Sequence, residues 1–360
     1  MPPNRRASNL VRTGGVGSNP PVRTPVVSVV LPAFNAAQSV GAAVESIRAQ
    51  TLADWELLAV DDGSEDDTAG VLKSFARRNP RMRVLVRRHH GIVSTLNDGM
   101  AAARGRFIAR MDTDDTAHPE RLAEQASFLD THPDVGVVGS LVDFGGDRGR
   151  NEGYALHVDW LNSLVTPGDI ELNRFVESPF AHPSVMFRRE LIALHGGYRD
   201  GDFPEDYELW LRWLDAGVKM AKVPRALLTW NDPAQRLSRT DTRYDAEPFY
   251  RCKAPWLARW LATHVRPERR LLVWGAGRPT RKRAELLVEH GVRISGYVDI
   301  DPEKIGRSFS GRPVFGPAGI PAKDEIFVLC FVAKRGAREL ARQHLRSHGF
   351  VEGRDFLAAA

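Results

Sequence analysis

Three carboxylates lie within four positions of RFIARMDTDDTAHPERL, residues 106–122. They belong to Asp112, Asp114 and Asp115, and they come directly after a stretch that is typical of a buried strand. Carboxylates this close repel one another and raise one another's pKa unless a positive charge lies among them. Mg²⁺ and Mn²⁺ prefer such oxygen ligands and often share them with substrate phosphates. The segment therefore predicts either a divalent-metal site or a solvated acidic turn in which Asp115 or Thr116 caps the next helix.

A regular alternation of strands and helices surrounds this cluster. The predicted strands are residues 26–34, 55–64, 81–88, 106–112 and 135–144, and the predicted helices are residues 36–50, 66–79, 91–103 and 119–132. Such alternation favours a parallel sheet that is covered by helices on both faces. Ligands bind such sheets at the carboxyl ends of the strands, which is where Asp61, Asp62 and the acidic cluster fall.

A second pair of acids, Glu205 and Asp206, comes just before a helical pattern in FPEDYELWLRWLDAG. The pattern runs from Tyr207 to Leu214, and Gly217 is a typical helix stop. Carboxylates at the start of a helix are stabilised by the helix dipole, so the pair has a purely structural explanation. The alternative is that one of them is a general base.

The pattern of strands and helices restarts after Pro267. WGAGRPT follows an apolar strand, and Asp299 comes about twenty residues later, as in a dinucleotide-binding turn. Gly275 and Gly277 are in place, but Thr280 stands where the third glycine normally allows close packing of helix on strand. We therefore expect no NAD here, and we favour a role in assembly or regulation for this smaller Rossmann-like unit.

Four regions follow from these patterns: a basic disordered tail (1–25), a larger α/β domain (26–250), a helical linker (251–268) and the Rossmann-like unit (269–360). Trp256 and Trp260 on the linker are more typical of packing between domains than of contact with a membrane surface. Four arginines and no acid lie in the tail, so most of the net charge of +5 is there. The nearly neutral body gives no argument for nucleic-acid binding.

The remaining composition is that of an ordinary globular protein, with 42% hydrophobic and 26% charged residues. Cys252 and Cys330 provide neither a disulfide framework nor a metal-binding spacing. The sequence shows no secretory signal and no apolar run long enough for a membrane span, so we expect a cytoplasmic protein.

Seven segments, in order over roughly residues 26–240, resemble the family 2 glycosyltransferases of the GT-A fold. They are VVLPAFNA, VDDGSEDDT, GIVSTLNDG, ARGRFIARMDTDD, HPERL, HPSVMFRRE and PEDYELWLR. The resemblance implies an α/β fold with a GT-A type nucleotide-sugar-binding sheet, followed by the smaller Rossmann-like domain. It also implies a Mn²⁺- or Mg²⁺-dependent, inverting hexosyltransferase that uses a nucleoside diphosphate sugar, with UDP as the expected nucleotide.

The resemblance assigns the donor side of the site to the first half of the sheet. Pro32 and Phe34 would line the base, and Asp61 would bind the base or the ribose. Asp112 would contact the ribose and the metal, and Asp114 would ligate the metal on the diphosphate. Asp62 would order the neighbouring loop.

On the acceptor side, the resemblance makes Asp206 the catalytic base and places Glu205 against the acceptor or in an orienting role. His182 would lie near the diphosphate or the donor sugar, with a structural histidine as the alternative. Arg88 and Arg110 would bind phosphate or anchor a loop, and for each of them a plain salt bridge is an equal alternative.

The implied partners are the nucleotide-sugar donor and a glycan or lipid-linked acceptor of cell-surface polysaccharide or glycolipid synthesis. Peripheral contact with the inner face of the membrane and a homo-oligomer stay open. The Gln-x-x-Arg-Trp motif of processive members is absent, which favours the addition of one residue per encounter.

Two other functions compete with this interpretation. DTDDT and GDFPED fit the motifs of a phosphatase of the haloacid dehalogenase type, but three strand–helix units precede the first motif, which normally opens that fold. A non-catalytic nucleotide-sugar-binding scaffold is the other alternative, and intact Asp114 and Asp206 argue against it.

Overall fold

The computed structural model describes residues 24–233, 236–334 and 336–360, so nearly all of the predicted disordered tail lies outside the described residues. The first sheet contains β1 (Val27–Ala33), β2 (Trp55–Asp61), β3 (Met82–Val86), β4 (Phe107–Arg110), β5 (Thr116–Ala117), β6 (Val135–Phe144), β7 (Met186–Arg188) and β8 (Lys219–Trp230). The helices between and after these strands are α1 (Val40–Arg48), α2 (Thr68–Ala76), α3 (Ile92–Ala102), α4 (Arg121–Thr131), α5 (Glu152–Asn162), α6 (Pro167–Asn173), α7 (Glu190–His195), α8 (Glu205–Asp215) and α9 (Leu237–Thr240).

Six of the eight strands of the first sheet run in one direction, as the alternation predicts. Its strand order is β3-β2-β1-β4-β7-β6-β8-β5, and β3, β2, β1 and β4 all run in one direction. Every residue of β1, β2 and β4 is buried, which agrees with their nearly continuous apolar runs. The register pairs Ala33 with Asp61 and Val30 with Arg110, so the acidic segments after β2 and β4 emerge at one edge.

The prediction of a parallel sheet is wrong for two strands, β7 and β5, whereas β6 and β8 run parallel to each other and in the direction of β4. Strand β7 pairs antiparallel with both β4 and β6, and β5 pairs antiparallel with β8. The sequence pattern also missed β8, because a proline and several charges interrupt its apolar residues. The register with β6 shifts between Val223 and Ala226, so Pro224 falls at an irregularity where a missing ladder hydrogen bond is tolerated.

The second sheet is smaller and follows a long helix, α10 (Ala246–His264). Its elements are β9 (Arg270–Trp274), α11 (Arg278–Glu289), β10 (Ile294–Val298), β11 (Ser308–Phe309), β12 (Arg312–Phe315), β13 (Ile326–Cys330), α12 (Ala337–Ser347) and β14 (Phe356–Ala358). The strand order is β11-β12-β10-β9-β13-β14, and all pairs are parallel except β11 with β12.

Helix α10 joins the two sheets through apolar contacts, and it begins at Ala246 rather than at residue 251. Trp260 is 6% exposed, and its ring lies between Phe175 of the first unit and Phe327 of the second, with centroid distances of 6.4 and 6.0 Å. One hydrophobic cluster includes side chains from both sides of the helix. Within the described residues, no helix combines the length and apolar character needed to cross a bilayer.

Candidate active site

The acidic loop after β4 brings three carboxylates together. Asp112, Asp114 and Asp115 each offer an oxygen within 4.8 Å of the others. Asp115 is only 2% exposed, and its Oδ1 accepts a hydrogen bond of 2.8 Å from the backbone amide of Asn231. The side-chain amide of Asn231 also donates to the carbonyl of Asp114, at 2.7 Å. The loop is therefore fixed from the end of β8.

The electrostatics of this cluster fit a divalent cation. Burial raises the pKa of Asp114, and the neighbouring charge of Asp112 adds to the rise. Burial raises the pKa of Asp115 well above its ordinary value, with further contributions from Asp112 and Asp114. Carboxylate oxygens gathered this closely are the donor set that a hard divalent ion prefers, and such an ion would relieve the repulsion that acts on Asp114 and Asp115.

Two buried arginines lie behind the loop. Arg110, the last residue of β4, places Nη1 at 2.5 Å from Oδ1 of Asp112. Arg121 of α4 is fully buried, and its Nη2 donates to the carbonyl of Arg110 at 2.7 Å. Its Nε donates to Gln125 one turn further along α4, at 3.1 Å. These contacts make Arg110 a fixed internal cation rather than part of a surface salt bridge.

The carboxyl ends of β1 and β2 form the predicted nucleotide side. Pro32 is buried within β1, whereas Phe34, just beyond the strand, is 46% exposed and stacks on His89 with 4.3 Å between ring centroids. Asp61 is 1% exposed and accepts a hydrogen bond of 2.5 Å from the hydroxyl of Ser64. The structure thus brings Phe34 and Asp61 to the same edge as the acidic loop.

The loop after β3 is ordered by Asp62. Its carboxylate accepts hydrogen bonds from the backbone amides of His90, at 3.1 Å, and Gly91, at 2.8 Å. Its Oδ1 also lies 3.2 Å from Nε of Arg87. Arg88 in the same loop is exposed, and its side chain has no hydrogen bond or ion pair within the described chain.

Glu205 and Asp206 occupy the first turn of α8. Burial, followed by the charge of Glu205, raises the pKa of Asp206 to about 7. Oδ1 of Asp206 accepts the backbone amide of Tyr207 at 2.7 Å, and Oδ2 accepts the hydroxyl of Ser178 at 3.4 Å. Burial also raises the pKa of Glu205, which accepts a hydrogen bond of 2.7 Å from the hydroxyl of Tyr244. A carboxylate with a pKa near 7 suits general base catalysis at neutral pH.

His182 begins a short 3₁₀ helix, His182–Ser184, directly before β7. Its Nε2 is 2.6 Å from the hydroxyl of Tyr198, and its ring meets Trp210 edge to face. Burial lowers the pKa of His182 well below its ordinary value, and the charge of Arg110 adds to the effect. The imidazole is therefore neutral at pH 7 and acts as a hydrogen-bonding group rather than as a cation for phosphate.

Sequence reasoning missed a cation beside the acidic loop, Arg236. Its guanidinium lies 4.2 Å from the ring centroid of Trp230 and donates to the hydroxyl of Tyr154. Its charge lowers the pKa of both Asp114 and Asp115, although burial and the other acids outweigh it. The irregular segment around it carries no motif that marks this position.

The glycine-rich turn after β9 makes its polar contacts with residues of the second unit itself. The carboxylate of Asp299 accepts the backbone amide of Ala276 at 2.8 Å, and Lys304 lies 3.4 Å from it. Gly275 has φ of +114°, and a Cβ there would meet Val332 at 2.8 Å. In a dinucleotide site an acid at this place binds ribose, whereas here Asp299 is engaged with the turn itself. The expectation of no NAD remains a prediction.

Known proteins that are similar to this chain match mainly its first domain. The model of the family described as Glycosyl transferase family 2 matches residues 28–194. The amylovoran biosynthesis glycosyltransferase AmsE of Erwinia amylovora is 31% identical over 186 residues, which are 51% of this chain and 67% of that protein. The O-antigen biosynthesis glycosyltransferase WbnJ of Escherichia coli is 26% identical over 241 residues, which are 66% of this chain and 89% of that protein.

Solved structures support the same fold. Residues 1–349 of S. aureus TarS, crystallised in complex with UDP-GlcNAc, superpose with a TM-score of 0.52 at 18% identity. The match covers 73% of this chain and 70% of the TarS chain.

Proposed function

Because this chain belongs to the family 2 glycosyltransferases, we propose that it is a metal-dependent, inverting enzyme that transfers a sugar from a UDP-sugar to a hydroxyl group of a cell-surface glycan or glycolipid. The observation that carries the proposal is the position of Arg110. Its buried charge interacts with Asp112 of the acidic loop and with Glu205 of the acid pair. The donor-binding cluster and the acid pair that contains the candidate base therefore both lie within the electrostatic reach of one buried cation.

On the donor side, Phe34 and Asp61 bind the base and ribose at the ends of β1 and β2. Asp114, together with Asp112, would hold Mn²⁺ or Mg²⁺, which when bound would supply positive charge at the diphosphate. Arg236 lies beside the same loop and serves as a further cation for the diphosphate, since its described contacts include no carboxylate partner.

On the acceptor side, Asp206 takes the proton from the acceptor hydroxyl as that oxygen attacks the anomeric carbon. Attack opposite to the leaving diphosphate inverts the configuration in one displacement. Its pKa of about 7 keeps a large fraction of Asp206 ionised at neutral pH while leaving it basic enough to accept a proton. Glu205 contacts or orients the acceptor.

The donor nucleotide and the product class rest on similar proteins. TarS was crystallised with UDP-GlcNAc, and AmsE and WbnJ are named for amylovoran and O-antigen biosynthesis. These names support a UDP-sugar and a surface polysaccharide for this chain. The family assignment removes the phosphatase alternative, because the DTDDT segment is explained as the acidic loop of a glycosyltransferase.

Calorimetric titration tests the donor site. UDP, GDP and TDP are each titrated with Mn²⁺ and with EDTA into the wild type, Asp114→Ala and the control Asp130→Ala. Asp130 is an exposed acid of α4 that pairs with Arg106 at 2.7 Å, away from the site. We expect UDP to bind only with Mn²⁺, and we expect Asp114→Ala alone to lose that binding.

Metal-dependent binding of GDP or TDP in place of UDP would reassign the donor class and keep the metal site. Binding of no nucleotide to the folded wild type under any condition would contradict the proposed function.

A further inference from the structure

The acid pair is contacted by the chain segment that leads into the second sheet. Tyr244 lies at the end of a short 3₁₀ helix, Thr242–Tyr244, directly before α10. Its hydroxyl donates a hydrogen bond of 2.7 Å to Oε2 of Glu205. Residues 242–264, this turn together with α10, are called the brace below.

The brace also packs against the residue that follows Asp206. Tyr207 is fully buried, and its ring stacks on Phe249 of α10 with 4.2 Å between centroids and an interplanar angle of 4°. The hydroxyl of Tyr207 donates to the carbonyl of Arg174 at 2.7 Å. The brace therefore contacts the first turn of α8, which carries both acids, through Tyr244 and Phe249.

Lys253 connects the brace to both units. The side chain is buried, and Nζ donates hydrogen bonds to the carbonyl of Phe175, at 2.8 Å, and to the carbonyl of Ala359, at 2.7 Å. Nζ also lies 3.9 Å from the ring centroid of Tyr250. Burial lowers the pKa of Lys253 well below its ordinary value, but even a neutral amine has two N–H groups, enough for both carbonyls.

The carbonyl that Lys253 binds in the first unit belongs to Phe175, three residues before a contact of the candidate base. Phe175 precedes Ser178, whose hydroxyl donates to Asp206 at 3.4 Å. A polar group buried in an apolar environment is unfavourable unless its hydrogen bonds are made, so Lys253 fixes the distance between Phe175 and the end of the second sheet. A continuous set of contacts thus runs from Ala359 through Lys253 to the acid pair.

We propose that the brace positions Glu205 and Asp206 and that Lys253 makes the second sheet part of this positioning. The inference rests on the function proposed above. Lys253 contacts neither acid, so it is a positioning residue. The acidic loop is fixed instead by β4, α4 and Asn231, and loss of Lys253 is therefore expected to slow the transfer step without weakening donor binding.

The test compares Lys253→Met with Lys282→Met in the full chain. Methionine keeps most of the volume of Lys253 and removes both hydrogen bonds. Lys282 is an exposed residue of α11, and its Nζ lies 2.8 Å from the carboxylate of Glu247. Glu247 is on α10, the helix that also carries Lys253. Two quantities are measured with Mn²⁺: the Kd of UDP by calorimetry, and the kcat of UDP release from UDP-glucose, UDP-galactose and UDP-GlcNAc with water as the acceptor.

We expect Lys253→Met to lower kcat roughly 10- to 100-fold, the scale of a small misplacement of catalytic groups, while the Kd of UDP stays within about twofold. Lys282→Met should change neither. A normal kcat in folded Lys253→Met, or a kcat that falls only in step with UDP binding, would overturn the proposal.

Tyr244→Phe covers the case in which Lys253→Met does not fold. This variant removes one hydroxyl from a partly exposed ring, and we expect the same loss of kcat with normal UDP binding; an unchanged kcat would count against the brace. If the wild type binds no UDP, the proposed function itself is contradicted. If the wild type binds UDP and hydrolyses the donor, a variant that keeps the wild-type kcat contradicts only the role of the brace.

Discussion

The guanidinium of Arg110 lies 2.5 Å from the carboxylate of Asp112, and the same buried charge also interacts with Tyr198 and Glu205. Arg110 ends β4, whose neighbour β1 leads to Phe34. One side chain is therefore shared by the acidic loop and the acid pair. This arrangement places the acidic loop and the acid pair in the field of one buried cation.

Asp206→Asn separates binding from turnover. The amide keeps nearly the same shape but cannot accept the proton of the acceptor. We expect turnover to fall by roughly 100- to 10,000-fold, the usual share of a general base, with an unchanged Kd for UDP. Steady-state kinetics and calorimetry on the same preparations measure both quantities. Near-normal turnover would remove Asp206 from the mechanism.

The wild-type rate should depend on pH in a defined direction. Burial and the charge of Glu205 raise the pKa of Asp206 to about 7, so the base is protonated and inactive below that pH. We expect kcat for UDP release to rise with pH and to level off above about pH 8. The residual rate of Asp206→Asn should lack this rise, and a flat wild-type profile between pH 5.5 and 8.5 would contradict the assignment.

The same shift predicts a stability effect. The folded state holds the proton of Asp206 up to about pH 7, whereas the unfolded chain releases it near pH 4, so ionised Asp206 destabilises the fold as pH rises between these values. Asp206→Asn should therefore raise the Tm at pH 8 and leave it nearly unchanged at pH 4. Calorimetric melting at the two pH values measures the difference, and an equal shift at both would show that ionisation is not the cause.

Gly99 tests the packing beneath the nucleotide side. It lies on α3, and a Cβ there would meet Cγ1 of Val30 at 2.5 Å and Cγ2 of Val60 at 3.3 Å. Overpacking of a core costs about 1–3 kcal/mol, so Gly99→Ala should lower the free energy of unfolding by that amount. Gly41→Ala in α1 is the control, because a Cβ there would meet Phe75 at 3.8 Å, an ordinary van der Waals contact, and alanine favours the helix. Urea denaturation compares the two, and equal stabilities would show that α3 can shift.

Local pattern was sufficient to predict strands β1 to β4 and β6 of the first sheet. Strands β1 to β4 and helices α1 to α4 were predicted because their apolar residues repeat with the period of each element. The same logic placed Asp61 and the acidic loop at one edge, since parallel strands end together. The antiparallel strand β7 was not predicted, because three residues are too short to show a period.

The rest of the site depends on contacts between distant parts of the chain. Asn231 fixes Asp114 across 117 positions, and Tyr244 reaches Glu205 across 39. No periodicity in a sequence reports which irregular segment folds over which loop. Arg236 was missed for the same reason, since its position depends on the rings of Trp230 and Tyr154.

Arg236 and Arg239 offer a matched comparison for the diphosphate. Both guanidinium groups lie near the ring of Tyr154, at 5.2 and 5.8 Å from its centroid. Arg239 pairs with Asp232 at 2.6 Å, whereas the hydrogen bonds of Arg236 go to the hydroxyl of Tyr154 and to the carbonyl of Asn231. Of these two arginines, Arg236 is therefore the one that lies beside the acidic loop without a direct carboxylate partner among the described residues.

The affinities of the two arginine variants for UDP and for UMP test whether Arg236 binds the diphosphate. A hydrogen bond to a charged group contributes about 1.5–3 kcal/mol, so Arg236→Gln should weaken UDP binding by roughly 10- to 150-fold in the presence of Mn²⁺. Binding of UMP, which lacks the second phosphate, should weaken much less, and Arg239→Gln should leave both affinities nearly unchanged. Competition calorimetry gives the ratio of UDP to UMP affinity for each variant. If Arg236→Gln keeps the wild-type ratio, Arg236 only packs against Trp230 and does not bind the diphosphate.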